Sequence, residues 1–187
     1  MIVNFFAYLV NNGTKQSQIT VLTFYKAQRR HIMNKLNLHP TLTVTTESFR
    51  VHTVDSYQGK ENNIFFCLWD AVLRLIVINY KVGFLDNQSR VIVAISRARR
   101  GFYVIRNIVN ASNASRESQE IWVPIWQAFI RQQGFNAKRG FPLICQPHGN
   151  TIWIKNSNGW ADNTGGCNQR CTFVRDCGHQ CGFPCHV

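Results

Sequence analysis

Apolar residues recur at helical spacing at Ile2, Phe5, Phe6, Leu9 and Val10. The Asn11-Asn12-Gly13 break after them predicts a helix with a glycine-type stop. Ile19-Thr20-Val21-Leu22-Thr23, rich in β-branched residues, predicts a buried strand. A second helix from about Tyr25 to Leu38 ends before Pro40, because the residue ahead of a proline is pushed out of helical geometry. Thr41 to Thr46 and Phe49 to Thr53 are strand-like, and Ile64 to Leu68 is another buried apolar run. Arg90 to Ser96 leads into a helix or turn, and Gly101 to Arg106 is a short strand centred on Phe-Tyr-Val-Ile. Strands alternating with helices predict an α/β fold with a largely parallel sheet and flanking helices. From Ser115 to Gln133 a helix presents Ile121, Trp122, Ile125, Trp126 and Phe129 on one face, with Pro124 expected to bend it or shift its start. The rest is loop-rich and ends in a cysteine and histidine cluster.

The stretch from Ile64 to Val82 is apolar but interrupted by Asp70, Arg74, Asn79 and Lys81. It falls short of the roughly 20 predominantly apolar residues of a membrane span, so it is read as a core strand followed by an irregular or helical insertion, with no membrane partner. The chain of 187 residues, 45% hydrophobic, is long enough for one core of ordinary size and a smaller appendage. Its net charge of +12 favours a polyanionic partner, because each neutralised phosphate releases condensed counterion. Residues 1–112 hold fourteen Lys and Arg against five Asp and Glu, and residues 113–187 hold seven against four. Most phosphate contacts are therefore expected in the first part. Charge alone suits a merely soluble basic surface equally well, so motifs must decide.

Three segments supply them. They are Ile19-Thr-Val-Leu-Thr-Phe-Tyr-Lys-Ala-Gln28, Val51-His-Thr-Val-Asp-Ser-Tyr-Gln-Gly-Lys-Glu61, and Val82-Gly-Phe-Leu-Asp-Asn-Gln-Ser-Arg-Val-Ile-Val-Ala-Ile-Ser-Arg-Ala-Arg99. Gly59-Lys60 is not the end of a phosphate-binding P-loop, since Val54 stands where that motif needs a Gly and Glu61 where it needs Ser or Thr. A Walker B acidic pair is missing as well. In order and content, the three segments resemble the second, C-terminal RecA-like domain of Upf-like superfamily-one RNA helicases.

The resemblance implies a RecA-like sheet and assigns roles to named residues. The second segment resembles motif V, with Gln58-Gly59 in a turn where glycine lets the backbone approach a ligand closely, and with Glu61 near the nucleotide ribose. Asp55, Ser56, Gln58 and Lys60 fall on the nucleic-acid side, although Asp55 and Ser56 taken alone are equally well turn caps. The third resembles motif VI, in which Arg97 takes the position of the arginine finger. A fixed guanidinium there stabilises charge on the transferring phosphoryl group, worth roughly 10³- to 10⁵-fold in rate. Arg90 would be a second phosphate or motif-coupling residue, and Gly59, Glu61, Arg90 and Arg97 together form the expected nucleotide side. Arg99 and Arg100 are expected to support the fold or contact backbone phosphate. ATP and Mg²⁺ would bind between this domain and an N-terminal RecA-like domain absent from the chain, either because the chain is a fragment or because a partner supplies it. The chain alone is expected to be inactive. Two departures stand out: Ile92 where the family has Asn, and Leu68 to Leu75 where it has a polar coupling stretch.

Five of the seven cysteines fall between Cys167 and Cys185, interleaved with His179 and followed by His186. The spacing Cys167-x3-Cys171-x5-Cys177-x-His179-x-Cys181-x3-Cys185-His186 places thiolates and imidazole close enough to converge on Zn²⁺. Four ligands would complete one site and leave three for a second. Only Phe173, Val174 and Phe183 are substantial apolar residues there, too few to offset about 1–2 kcal/mol of ordering entropy per residue, whereas zinc supplies on the order of 10–16 kcal/mol in small modules. Cys145 and His148 also have ligand-like spacing, but no Cys-x-x-Cys lies beside them, so they are read as a buried thiol and a loop histidine. Cys67 is read as core. Gly165-Gly166-Cys167 and Cys177-Gly178-His179 resemble NFX-type zinc fingers, which the zinc-finger NFX-type helicases place after the motor.

The expected organisation is a C-terminal RecA-like helicase domain at 1–112, a helical connector at 113–164 and an incomplete NFX-type zinc region at 165–187. The family implies ATP-driven translocation on single-stranded nucleic acid, RNA by resemblance, with roles in RNA surveillance or small-RNA silencing. The alternative is a non-enzymatic zinc- and RNA-binding adaptor derived from such a helicase. The cysteine usage and the lack of a secretory pattern at the N-terminus point to an intracellular setting, nucleus or cytoplasm.

Overall fold

Four of the five residues of Ile19–Thr23 are β-branched and all five are buried, so this segment forms the inner strand β1. In the computed structural model, which describes residues 1–42, 49–68, 88–105, 116–132, 139–145, 147–161, 163, 166–167, 169–183 and 185, β1 lies between β2 (Arg50–Thr53) and β3 (Asn62–Leu68). Strand β4 (Ala98–Ile105) completes a four-stranded sheet of order β2-β1-β3-β4. Every pairing is parallel: Val21 lies opposite Val51 and Phe66, and Phe66 opposite Tyr103. Parallel strands need crossovers that cover the sheet. Here α2 (Lys26–Asn37) packs on β1 and β2. Val91 and Ala94 of α3 (Gln88–Ile95) and Trp122 of α4 (Arg116–Arg131) join Leu22, Phe65, Cys67, Val54 and Tyr57 in one core.

The chain divides into two compact units, one Thr14–Gln127 and the other Met1–Gly13 with Ala128–Val187. The expected motor domain of 1–112 starts with α1 (Ile2–Asn11), whose packing lies in the second unit. There the Phe5 ring stacks on Trp160 of α5 (Ser157–Ala161) at 3.8 Å, and Asn4 Nδ2 donates to the Ser157 carbonyl at 3.0 Å. Antiparallel strands β5 (Phe141–Ile144) and β6 (Thr151–Ile154) form a hairpin in the stretch expected to be loop-rich. Gly140 opens it at φ +102, where a Cβ would collide with the Ile154 carbonyl oxygen.

Pro124 does not shift the start of its helix. It sits inside α4, which begins eight residues earlier at Arg116 and continues to Arg131 with one hydrogen bond fewer. Thr41 and Leu42 lie in a turn rather than a strand, and Thr43 to Thr46, the insertion after Leu68 and the Gly83-Phe84-Leu85 segment lie outside the described residues. Among the described residues, no helix is long and apolar enough to cross a membrane.

Candidate functional site: a motif surface and a cysteine-histidine centre

Strand β2 ends at Thr53 and runs into a 3₁₀ turn, Val54–Tyr57. Thr53 and Ser56 hold this turn reciprocally, with the Thr53 N–H donating to Ser56 Oγ at 3.1 Å and Ser56 Oγ donating to the Thr53 carbonyl at 2.9 Å. Buried Val54 and Tyr57 anchor the turn below, and the Tyr57 ring meets Phe65 edge-on at 5.4 Å. Asp55, Ser56, Gln58, Gly59, Lys60 and Glu61 are consequently all exposed. Gly59 takes φ +76, a conformation that side-chain-bearing residues rarely adopt, with open space where a Cβ would stand.

The Gln88-to-Arg99 end of the third motif meets this turn at two points. Arg90 Nε donates to Asp55 Oδ1 at 2.7 Å, and Arg99 forms an ion pair with Glu61. The Asn62 N–H also donates to the Arg97 carbonyl at 3.2 Å, where β3 and β4 begin side by side. The Arg99 guanidinium, by hydrogen bond and charge, holds the Glu61 carboxyl below its ordinary range, with Arg97 adding to the effect. Arg97 itself is half-buried, and its Nε is buried without a hydrogen-bond partner among the described residues. Ile92, at a position the resemblance gives to Asn, is 52% exposed, while Val91 and Ala94 on the same helix are buried. The backbone bond at Asn62 and the reach of the Arg97 charge to Glu61 thus link the two motifs across a sequence separation of 36 residues.

The cysteine-rich end behaves differently from its sequence grouping. Cys145 and His148 stand in the loop between β5 and β6, closed by the Cys145 N–H donating to the Asn150 carbonyl at 2.9 Å and the Gly149 N–H donating to the Cys145 carbonyl at 2.8 Å. They converge with Cys167 and Cys185, the four ligand atoms lying within 4.8 Å of one another. Cys145 Sγ is 3.7 Å from Cys185 Sγ and 3.7 Å from His148 Nδ1, and Cys167 Sγ is 3.4 Å from His148 Nδ1. Asn150 Nδ2 donates to Cys167 Sγ, and together with the Gln169 N–H it brings that thiol down to about 7.

Of the other expected ligands, Cys171 and Cys181 are in hydrogen-bonding contact, and the Phe173 N–H donates to Cys171 Sγ at 3.4 Å. Cys177 and His179 are exposed and stand outside the four-ligand group, while His186 lies outside the described residues. The two ligands that sequence reasoning set aside, Cys145 and His148, are thus drawn into the cluster. The signal available was the Cys-x2-His spacing followed by Gly149-Asn150, a tight loop able to present both side chains to one side.

A parallel α/β sheet with motif V and motif VI residues joined beside it defines the class, a helicase-type RecA-like domain. Residues 1–108 match the family described as the AAA domain, and the chain belongs to that family in its superfamily-one helicase type. It is 35% identical over 191 aligned residues to NFX1-type zinc finger-containing protein 1 of Mus musculus, covering 99% of this chain and 9% of that protein. It is 40% identical over 131 residues to Helicase required for RNAi-mediated heterochromatin assembly 1 of Schizosaccharomyces pombe, covering 68% of this chain and 12% of that protein. Similarity to Regulator of nonsense transcripts 1 of Caenorhabditis elegans is 31% over 100 residues, 53% of this chain and 9% of that protein. The chain therefore spans only a small part of the length of these relatives.

Proposed function

We propose that this chain is the C-terminal half of the motor of an ATP-dependent RNA helicase, followed by a zinc-binding region. The observation that carries the reading is Arg97 just ahead of β4, its Nε buried and unpartnered among the described residues and its charge acting on the Glu61 carboxyl. An arginine in that condition has a donor to offer an incoming anion. Arg97 acts as the finger toward the γ-phosphate, Glu61 and Gly59 face the nucleotide, and Arg90 couples the two motifs through Asp55. Gln58, Lys60 and the exposed turn residues Asp55 and Ser56 lie on the nucleic-acid side. The β- and γ-phosphates and Mg²⁺ are gripped by an N-terminal RecA-like domain, in the same longer chain or in trans. Names of the relatives support helicase activity and the zinc region; single-stranded RNA is the substrate proposed from them.

Purified chain with ATP, Mg²⁺ and single-stranded RNA is expected to release no phosphate above background. Addition of an N-terminal RecA-like domain bearing Walker A and B motifs should restore turnover, and Arg97→Ala should lower that turnover by roughly 10³-fold or more. Turnover by the chain alone that Arg97→Ala abolishes would show a complete site here and sink the reading. The exposed Ile92 favours the second reading, a non-enzymatic adaptor; failure of any N-terminal domain to restore turnover, with RNA binding intact, would establish it.

A further inference from the structure

We propose that Cys145, His148, Cys167 and Cys185 hold one Zn²⁺ in a closed structural centre that staples the β5–β6 hairpin to the cysteine-rich tail, apart from the Cys171–Cys181 pair. This ligand set rests on the reading of the tail as zinc-binding and crosses the boundary that the cysteine spacing suggests. The first argument is geometric. Zinc at about 2.3 Å from sulfur and about 2.0–2.1 Å from nitrogen, with tetrahedral angles, requires ligand-to-ligand edges of roughly 3.5–3.8 Å. Three of the six edges, Cys145–Cys185, Cys145–His148 and Cys167–His148, are 3.7, 3.7 and 3.4 Å, close to those lengths, and all four ligand atoms lie within 4.8 Å of one another.

The second argument is chemical. Cys145, Cys167 and Cys185 are 0%, 4% and 5% exposed, yet the cluster they form is packed by little carbon, Ile152 being the apolar neighbour among the described residues. Three sulfurs and an imidazole facing one point are not the surroundings of an ordinary core thiol. Nor do they suit a disulfide, which would use two sulfurs and leave the third beside His148; all seven cysteines are free. Three thiolates and one imidazole fill a tetrahedral shell and leave no open position, the arrangement of a structural rather than a catalytic zinc site.

The third argument is topological. Cys167 and Cys185 bracket the tail, and between them the chain doubles back on itself. The Cys171 N–H donates to the Phe183 carbonyl at 3.1 Å, the Cys181 N–H to the Phe173 carbonyl at 2.8 Å, and the Arg175 N–H to the His179 carbonyl at 2.9 Å. Cys185 closes the base, its N–H donating to the Gln169 carbonyl at 2.7 Å. The apolar residues of this hairpin, Phe173, Val174 and Phe183, are 63%, 57% and 63% exposed, so they do not form a hydrophobic core among the described residues. One metal at the base fixes both ends of the tail and the hairpin loop together. Cys171 and Cys181 are in hydrogen-bonding contact further along the doubled chain, outside this four-ligand group.

The test uses the full chain purified without chelator, with elemental zinc analysis and Co²⁺ substitution. Cys145→Ala and His148→Ala are each expected to lose one zinc per chain relative to wild type, while Cys177→Ala leaves the Co²⁺ spectrum of this centre unchanged. His148→Cys keeps the metal and gains thiolate-to-Co²⁺ charge-transfer absorption. Integrity of the sheet unit is read from resistance of buried Cys67 to alkylation. If the alanine variants misfold, His148→Cys decides alone: retained metal with added charge-transfer intensity supports the centre, and loss of the metal overturns it. Zinc present in wild type but undiminished in Cys145→Ala and His148→Ala overturns this ligand set and leaves the zinc-binding tail standing. A wild-type chain without zinc overturns both.

Discussion

Two arginines two positions apart, Arg97 and Arg99, meet different surroundings at the start of β4. Arg99 is paired with Glu61, while the Nε of Arg97 is buried without a partner among the described residues. The Glu61–Arg99 pair is more than half exposed on both sides, 54% and 58%, so water screens it and it adds little to stability. Its importance is positional, because it ties the Glu61 carboxylate of the second motif to Arg99 of the third. A depressed carboxyl pKa contributes stability above the ordinary value of 4.5 and loses it as pH falls through the lowered one. Arg99→Ala should therefore move the Glu61 titration up toward 4.5 in a carboxyl-detected NMR experiment, with almost no change in overall stability at neutral pH. An unchanged Glu61 titration would mean that the pair does not form in solution.

At the scale of elements, the β5–β6 hairpin depends on one backbone conformation. Gly140→Ala must place a Cβ against the Ile154 carbonyl at φ +102, which should cost more than about 1 kcal/mol. Hydrogen exchange should show lost protection at 141–144 and 151–154 with β1 and β3 unaffected; unchanged protection would count against the described hairpin. The inner strands were legible in the sequence because Ile19–Thr23 and Ile64–Leu68 are unbroken apolar or β-branched runs, the mark of parallel strands covered on both faces. The hairpin was not, because each strand has four residues, Pro142 interrupts one, and their burial is only partial. Cys145 and His148 shared that obscurity. Their spacing was visible, but their partners lie 19 to 40 residues away, a closure that local pattern does not encode.

For the whole molecule, the charge distribution sets how nucleic acid should bind under the proposed function. The net charge is +12, and fourteen basic against five acidic residues lie in 1–112, the part that carries the motif V turn with exposed Lys60. Contacts to phosphates position a strand without reading its bases, so affinity should be similar for unrelated single-stranded RNA oligomers. Each phosphate neutralised on a single strand should contribute about −0.7 to the slope of log K against log salt. Lys60→Ala should weaken binding by a similar factor for every sequence and flatten that slope by about 0.7. The Glu61–Arg99 pair already commits one guanidinium to a carboxylate, so Arg99→Ala should flatten the slope less than Lys60→Ala. Fluorescence anisotropy across several salt concentrations measures all three quantities. Binding indifferent to salt, or confined to one base sequence, would contradict a phosphate-tracking surface and direct attention away from the motif V turn.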